Sequence, residues 1–248
     1  MTQPSPPITG VSPALTAFFL DVDGTVTGIV ADPQQARVDP AAREVLDKLS
    51  VKSDGAVALI SGRSIDQLDR MLSPLRLPVV GVHGLERRLS DGQLIRLEHD
   101  AQAHDKLVAL VEEFAARYPG VKAEPKPGAV ALHFRQRPEL EAECTAFMQA
   151  QTDGEPRLSL LHGKMVAELI FGGQTKGDAV AALMENSPFK RRRAFFAGDD
   201  VTDEAGFRRV NALDGITVKI GEGNTCASYR LPDPDALVAY LSRIAEQG

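Results

Sequence analysis

The sequence contains little of what secreted, membrane-spanning or nucleic-acid-binding proteins require. It has no tryptophan and only two cysteines in 248 residues. Cys144 and Cys226 lie too far apart to match a zinc or redox motif, so we expect reduced thiols and a cytoplasmic protein. No apolar run approaches the roughly 20 residues that a membrane helix needs. The formal net charge of −6 argues against a nucleic-acid partner, since such proteins present basic surfaces.

The first 16 residues are rich in proline, with four at positions 4, 6, 7 and 13. This segment has neither the basic start nor the apolar core of a secretory signal. We therefore predict that residues 1–16 form a disordered tail.

Short apolar runs alternate with helical patterns in the part of the chain that follows. The runs Ala17–Leu20 and Ala56–Ile60 are typical of buried parallel strands. A helix is predicted from Pro40 onward, after a loop at residues 26–37 with a turn at Asp32-Pro33. This β-α-β rhythm predicts a parallel sheet with right-handed crossovers.

The rhythm changes after Gly84. Residues 85–172 combine strand pairs with helices, which is typical of a separate α+β unit. Glycines at 84 and at 172–173 would serve as hinges. The predicted fold class is therefore α/β, a doubly wound Rossmann-like parallel sheet from residues 17–84 and 173–248 with an inserted α+β domain.

Two carboxylates directly follow the first predicted strand. Asp21 and Asp23 stand ahead of Gly24, where burying charge is costly unless a metal or a partner compensates it. Other polar residues follow strands or begin helices of the same predicted sheet: Ser61, Lys176, Asp199 and Asp203. In open α/β sheets ligands bind beyond the carboxyl ends of the strands, so we expect all these side chains to serve one site.

These residue types match the needs of phosphoryl transfer. Asp21 would attack phosphorus to form an aspartyl-phosphate, while Asp23 would protonate the leaving alcohol and then accept a proton from water. Ser61 and Lys176 would hold the phosphoryl oxygens. Crowded carboxylates repel one another unless a cation lies among them, and Mg²⁺ is the ion that suits a few carboxylates and a shared phosphate.

Four segments, in this order, resemble the motifs of the haloacid dehalogenase (HAD) phosphatase superfamily. They are Asp21-Val22-Asp23-Gly24-Thr25, Ser61-Gly62-Arg63, Lys176-Gly177-Asp178 and Gly198-Asp199-Asp200-Val201-Thr202-Asp203-Glu204. The inserted unit resembles the type IIB cap of that superfamily. The resemblance implies a HAD-like core with Asp21 as nucleophile and Asp23 as acid/base. It also implies that Mg²⁺ is held by Asp21, the Asp23 backbone carbonyl and Asp199, with Asp203 in support.

Further segments are similar to those of trehalose-6-phosphate phosphatases. They are Gly81-Val82-His83-Gly84-Leu85-Glu86, Glu124-Pro125-Lys126, His133-Phe134-Arg135 and Gly163-Lys164 with Glu168. This resemblance implies an enzyme of trehalose biosynthesis that acts on a small-molecule sugar phosphate, and we expect it to be a monomer. The expected substrate contacts are Asp21, Val22, Asp23, Gly24, Ser61, Gly62, Arg63 and Glu86 in the core, and Lys126, Arg135, Lys164 and Glu168 in the cap.

Several alternatives stay open at this point. The substrate could be sucrose phosphate or a glycosylglycerate phosphate instead, and a non-catalytic sugar-phosphate sensor or a phosphomutase could use the same fold. Asp200 could cap a helix or bind the metal. Arg135 could contact sugar or form a surface ion pair. His104 shows no ligand spacing and is predicted to lie at the surface.

Overall fold

A computed structural model describes residues 3–30, 35–172 and 174–247. The predicted turn at Asp32-Pro33 and the predicted hinge at Gly173 lie outside these residues. The chain divides into two compact units, one formed by Met1–Ile95 with Thr175–Gly248 and the other by Arg96–Gln174. Among the described residues, no helix combines the length and the apolar character needed to cross a bilayer.

The first unit is a sheet whose strands are connected mainly by helices. Its elements in chain order are β1 (Thr16–Leu20), α1 (Pro40–Lys52), β2 (Val57–Ile60), α2 (Ile65–Leu72), β3 (Val79–Gly81), β4 (Glu86–Arg88), β5 (Leu94–Arg96), then, after the second unit, α5 (Lys176–Met184), β10 (Arg193–Gly198), α6 (Glu204–Asn211), β11 (Ile216–Ile220), β12 (Tyr229–Leu231) and α7 (Pro234–Ala245).

The strand order of this sheet is β12-β11-β10-β1-β2-β3-β4-β5. Pairing is parallel from β12 to β3, and β4 then pairs antiparallel with β3. The chain builds outward from β1 in both directions, first through β2 and later through β10. The gap beyond the carboxyl ends of β1 and β10 is therefore a topological switch point, where α/β sheets bind ligands. The predicted α/β class with a doubly wound sheet is confirmed.

Both faces of β1 are buried, which explains its unbroken apolar sequence. Phe18 and Leu20 belong to a core shared with Leu46 of α1 and Leu68 of α2. Ala17 and Phe19 face the other core, with residues of α5 and α6: Ala179, Val180, Leu183, Phe207 and Val210. Because strand side chains alternate, one apolar strand serves both helical layers.

The amino-terminal segment differs from the predicted disordered tail. The Arg230 backbone N–H on β12 donates to the carbonyl of Pro4, and the Arg230 guanidinium donates to Gln3 Oε1 at 3.0 and 2.9 Å. The Tyr240 hydroxyl donates to the Pro7 carbonyl at 2.9 Å, and Val11 is buried in the core. The prolines are compatible with this arrangement because an extended chain along an edge strand needs few donors.

Removing residues 1–10 should therefore lower the stability of the first unit. The lost hydrogen bonds and apolar contacts are worth about 2 kcal/mol, which corresponds to a decrease of about 4–8 °C in the melting temperature. Circular dichroism during heating would measure this decrease. A truncated chain that melts at the temperature of the intact one would show that the segment contributes nothing to stability.

The second unit is a four-stranded antiparallel sheet with two helices. Its elements are α3 (Ala101–Ala116), β6 (Lys122–Lys126), β7 (Ala129–His133), α4 (Glu141–Thr152), β8 (Leu158–Gly163) and β9 (Val166–Phe171), with the strands in the order β6-β7-β9-β8. Both helices pack on one face of the sheet, where Leu107, Val111 and Phe114 of α3 meet Val130 and Leu132 of β7.

The structural boundary of this unit lies at Arg96, later than the predicted residue 85. The difference arises because β4 continues the large sheet: Arg88 pairs with Val79 and Glu86 with Gly81. The short strand β12 was also not predicted, since Tyr229–Leu231 is too short for a clear pattern.

Candidate active site

Three strands and one helix start supply the polar residues predicted from the motifs. Asp21 and Asp23 follow β1, Ser61 follows β2, and Asp199 follows β10, while Lys176 is the first residue of α5. The pairing of β1 with β10 aligns Leu20 with Ala197. The carboxylates that follow these two strands are consequently neighbours.

An acidic cluster forms where the strands end. Asp21, Asp199 and Asp203 each offer a carboxylate oxygen, and these atoms all lie within 4.8 Å of one another. All three residues are buried. Burial raises the pKa of Asp21 well above its ordinary value. Lys176 opposes that rise, whereas Asp203 and Asp199 add to it. The three carboxylates of the acidic cluster together therefore present an excess of negative charge, which a cation would stabilise.

The Lys176 ammonium group binds two carboxylates of this cluster. Its Nζ donates to Asp21 Oδ1 at 2.8 Å and to Asp203 Oδ1 at 2.6 Å. Burial lowers the pKa of Lys176, but the charges of Asp203 and Asp21 outweigh burial and raise it above its ordinary value. The side chain is therefore a permanent cation in this setting. It is fixed at the base of α5 by the Thr175–Asp178 capping box.

Asp203 orients the loop after β10. Its Oδ2 accepts hydrogen bonds from the backbone N–H groups of Asp199 at 3.0 Å and Asp200 at 2.9 Å, while its Oδ1 accepts from Lys176. Asp200 Oδ1 in turn accepts from the Val201 N–H at 2.8 Å, which is the capping role left open by the sequence. The sequence spacing of Asp199, Asp200 and Asp203 thus builds a self-bonded turn.

Gly24 allows the first motif to approach the acidic cluster closely. Its φ of +81° is left-handed, and a Cβ there would lie 2.3 Å from Asp199 Oδ2, so both conformation and space require glycine. Next to it, the Thr25 hydroxyl donates to Asp21 Oδ2 at 3.2 Å. The two oxygens of Asp21 are therefore held by different donors, Lys176 and Thr25.

Asp23 is paired with Arg63. The guanidinium donates from Nε to Oδ2 at 2.6 Å and from Nη2 to Oδ1 at 2.7 Å, which is a bidentate geometry. The Arg63 backbone N–H also donates to Ser61 Oγ at 3.2 Å. The Ser61-Gly62-Arg63 turn packs closely, since a Cβ on Gly62 would lie 2.5 Å from His83 Nε2. This turn links the second motif to Asp23 of the first.

Glu86, predicted as a substrate contact, is buried within the first unit. One of its carboxylate oxygens accepts the backbone N–H of Ile65 at 3.0 Å, at the amino-terminal end of α2. This contact gives Glu86 a structural role at the start of that helix, where a negative charge is favourable.

Two predicted sugar contacts in the second unit bind one another. Lys126 Nζ donates to Glu168 Oε2 at 3.0 Å, and both side chains are 8% exposed. In the same sheet, His133 Nε2 of β7 and Glu124 Oε2 of β6 are 2.6 Å apart. Strand alternation places all four side chains on the sheet face opposite the one that carries α3 and α4. The other two predicted contacts are linked through the backbone, since Arg135 Nη2 donates to the Lys164 carbonyl at 2.8 Å.

The roles of two residues near these groups were not predicted from the sequence. Lys219 is buried on β11 and donates to the backbone carbonyl of Asp199. A charge inside the apolar run Ile216–Ile220 was the available signal. His104, predicted at the surface, has its Nε2 3.0 Å from the Lys126 carbonyl and 3.1 Å from the Ala129 carbonyl, and so closes the turn between β6 and β7.

Comparison with known proteins assigns the chain to a family. The trehalose-phosphatase family model matches residues 19–235. The trehalose-6-phosphate phosphatase of Escherichia coli (strain K12) is 43% identical over 246 residues, covering 98% of this chain and 91% of that protein. The C-terminal domain of C. albicans trehalose-6-phosphate phosphatase superposes with a TM-score of 0.86 at 21% identity and 98% coverage of both chains. A haloacid dehalogenase-like hydrolase from B. subtilis has the same fold, with a TM-score of 0.64 at 13% identity over 91% of this chain and 98% of that one. The chain belongs to the trehalose-phosphatase family.

Proposed function

We propose that this protein hydrolyses trehalose 6-phosphate to trehalose and inorganic phosphate through an aspartyl-phosphate at Asp21. The observation that carries the proposal is the buried Asp21 carboxylate, held by Lys176 at 2.8 Å and Thr25 at 3.2 Å beside two further carboxylates. Membership of the trehalose-phosphatase family supports both the reaction and the substrate.

In the first step an Asp21 oxygen attacks phosphorus, and the bond between phosphorus and the sugar oxygen breaks. Asp23 gives a proton to that leaving oxygen. Asp23 must separate from Arg63 to carry this proton, because the guanidinium occupies both carboxylate oxygens. The phosphate of the substrate is itself a bidentate acceptor for arginine, so substrate entry would favour the separation.

In the second step water attacks the aspartyl-phosphate. Asp23, now ionised, accepts a proton from the water, and the bond between phosphorus and the Asp21 oxygen breaks to release phosphate and the free carboxylate. Lys176 and the Ser61 hydroxyl hold the phosphoryl oxygens in both steps, so the positive charge of Lys176 lies where negative charge develops.

The oxygen-only donor set fits a hard divalent cation such as Mg²⁺. Asp21 and Asp199 would hold it with the Asp23 backbone carbonyl. Asp203 would orient Asp199, because its own oxygens are engaged by Lys176 and two backbone N–H groups. When bound, the ion supplies charge neutralisation for the phosphoryl group and for the crowded carboxylates.

Treatment with a chelator should abolish turnover, and added Mg²⁺ should restore it. Without the cation, the negative charge of the acidic cluster repels the anionic phosphate of the substrate. Phosphate release before and after dialysis against EDTA, and again after Mg²⁺ is returned, measures the effect. Full activity in the chelator would contradict the proposed metal requirement.

We further propose that Lys126 and Glu168 recognise the sugar hydroxyls. Buried charged groups that hydrogen-bond a substrate discriminate between substrates, because they are left without a hydrogen-bond partner when the substrate lacks the matching group. Glu168→Ala should therefore lower kcat/KM for trehalose 6-phosphate by about 10²-fold, while activity on p-nitrophenyl phosphate changes little. Glu112→Ala, at an exposed position on α3, is the matched control. An unchanged kcat/KM on the disaccharide phosphate would remove Glu168 from recognition.

Phosphate release from trehalose 6-phosphate, compared with glucose 6-phosphate and sucrose 6-phosphate, tests the function as a whole. Preference for trehalose 6-phosphate is the expected result, whereas preference for another sugar phosphate would replace the substrate and leave the chemistry intact. Product isomerisation would indicate a phosphomutase. Tight binding of these substrates without turnover would indicate a sensor.

A further inference from the structure

A second buried lysine lies beside the acidic cluster, in addition to Lys176. Lys219 on β11 is 4% exposed and pairs in register with Gly198, the residue before Asp199. Its Nζ donates to the Asp199 backbone carbonyl oxygen. Burying an ammonium group costs free energy unless a partner compensates its charge. Neither of the two proposed chemical steps uses the Lys219 ammonium.

The Asp199 residue is constrained from three directions. Its N–H donates to Asp203 Oδ2 at 3.0 Å, and its carbonyl accepts from Lys219. Its carboxylate lies against Gly24, where even a Cβ would come within 2.3 Å of Oδ2. Because both peptide groups of Asp199 are held, the Cα–Cβ bond from which its carboxylate extends has a fixed direction.

Charge alone would make Lys219 unfavourable for a nearby cation, since like charges repel. Lys219 therefore has two opposite effects on the affinity for the cation: orienting Asp199 raises it, and repelling the cation lowers it. Removing Lys219 distinguishes them, because cation binding weakens if orientation dominates and strengthens if repulsion dominates.

We propose that Lys219 is a positioning residue, which fixes the Asp199 peptide so that the Asp199 carboxylate faces the cation site. This inference rests on the proposed function, because it concerns the cation of that same site. Groups that orient a metal ligand commonly change metal affinity by 10–100-fold when removed. Lys219 would act on Asp199 in this way through the backbone.

The test measures the affinity of the metal-free protein for Mn²⁺, using the electron paramagnetic resonance signal of the free ion as the readout. Lys219→Met should weaken Mn²⁺ binding by about 10-fold or more, and saturating metal should bring kcat to within about 3-fold of the unmodified enzyme. Thr217→Val is the matched control. Thr217 is buried on the same strand and donates to Asn211 Oδ1 at 2.7 Å, away from the cluster, so its loss should leave Mn²⁺ affinity unchanged.

Equal or tighter Mn²⁺ binding by Lys219→Met would overturn the proposal, and so would equal weakening by Thr217→Val. If Lys219→Met lacks a cooperative melting transition, Lys219→Gln replaces it under the same criteria. Failure of the proposed function would look different, because the unmodified protein would then neither bind Mn²⁺ nor release phosphate.

Discussion

Asp21→Asn should lower kcat on trehalose 6-phosphate by about 10⁴-fold or more. The amide is nearly the same size as the carboxylate but is a poor nucleophile, so no aspartyl-phosphate forms. Lys176 and Thr25, which hold the two carboxylate oxygens, would still surround a side chain of the same shape. Steady-state phosphate release measures the loss, and Asp47→Asn at an exposed position on α1 controls for the chemical change alone.

The same variant should not be less stable than the unmodified protein in the presence of a chelator. The folded state raises the pKa of Asp21, so its ionised form is disfavoured there relative to the unfolded chain. A group of this kind costs stability at a pH above its folded pKa, and the amide removes that cost. A lower melting temperature for Asp21→Asn in EDTA would contradict this charge assignment, and substantial activity would contradict the mechanism.

Lys176→Met should lower both activity and stability. Removing the ammonium leaves Asp21 and Asp203 buried without their shared partner, and breaking a buried pair in this way costs about 3–5 kcal/mol. Loss of the charge that holds the phosphoryl oxygens should reduce kcat by about 10²–10³-fold. Urea unfolding gives the first quantity and phosphate release gives the second.

Lys190→Met, at an exposed position, is the control for Lys176→Met and should change neither quantity. Adding Asp21→Asn to Lys176→Met should recover part of the lost stability, because one of the two unpaired charges is then absent. A Lys176→Met protein as stable as the unmodified one would show that the contacts at 2.8 and 2.6 Å contribute no net stabilisation.

The order of the secondary structure elements could be predicted where the local pattern was strong. Strands β1 (Thr16–Leu20) and β2 (Val57–Ile60) match the predicted apolar runs Ala17–Leu20 and Ala56–Ile60, and α1 begins at Pro40 as expected. The amino-terminal segment could not be predicted, because its order depends on Arg230 and Tyr240, more than 200 residues away in sequence. The same limit applies to β12, which exists as a strand only because β11 lies beside it.

The functional residues divide in the same way. The motifs containing Asp21, Asp23, Lys176 and Asp199 could be found from the sequence, since their residue types and spacing are local and chemically specific. The partners of these residues could not. Arg63 binds Asp23, Glu86 accepts a hydrogen bond at the start of α2, and Lys126 binds Glu168. These contacts follow from the order of the strands within each sheet.

By itself, the sequence determined the class of reaction, because the residues proposed as nucleophile, acid/base and phosphate ligands belong to short contiguous motifs. Only the tertiary structure decided how the charges are balanced. Asp21 and Asp203 share one lysine, and Asp199 is held by a second lysine from β11. The physical reason is that the electrostatic free energy of a buried group depends on its distance to other charges and on burial, and both are set by strands that are distant in the chain.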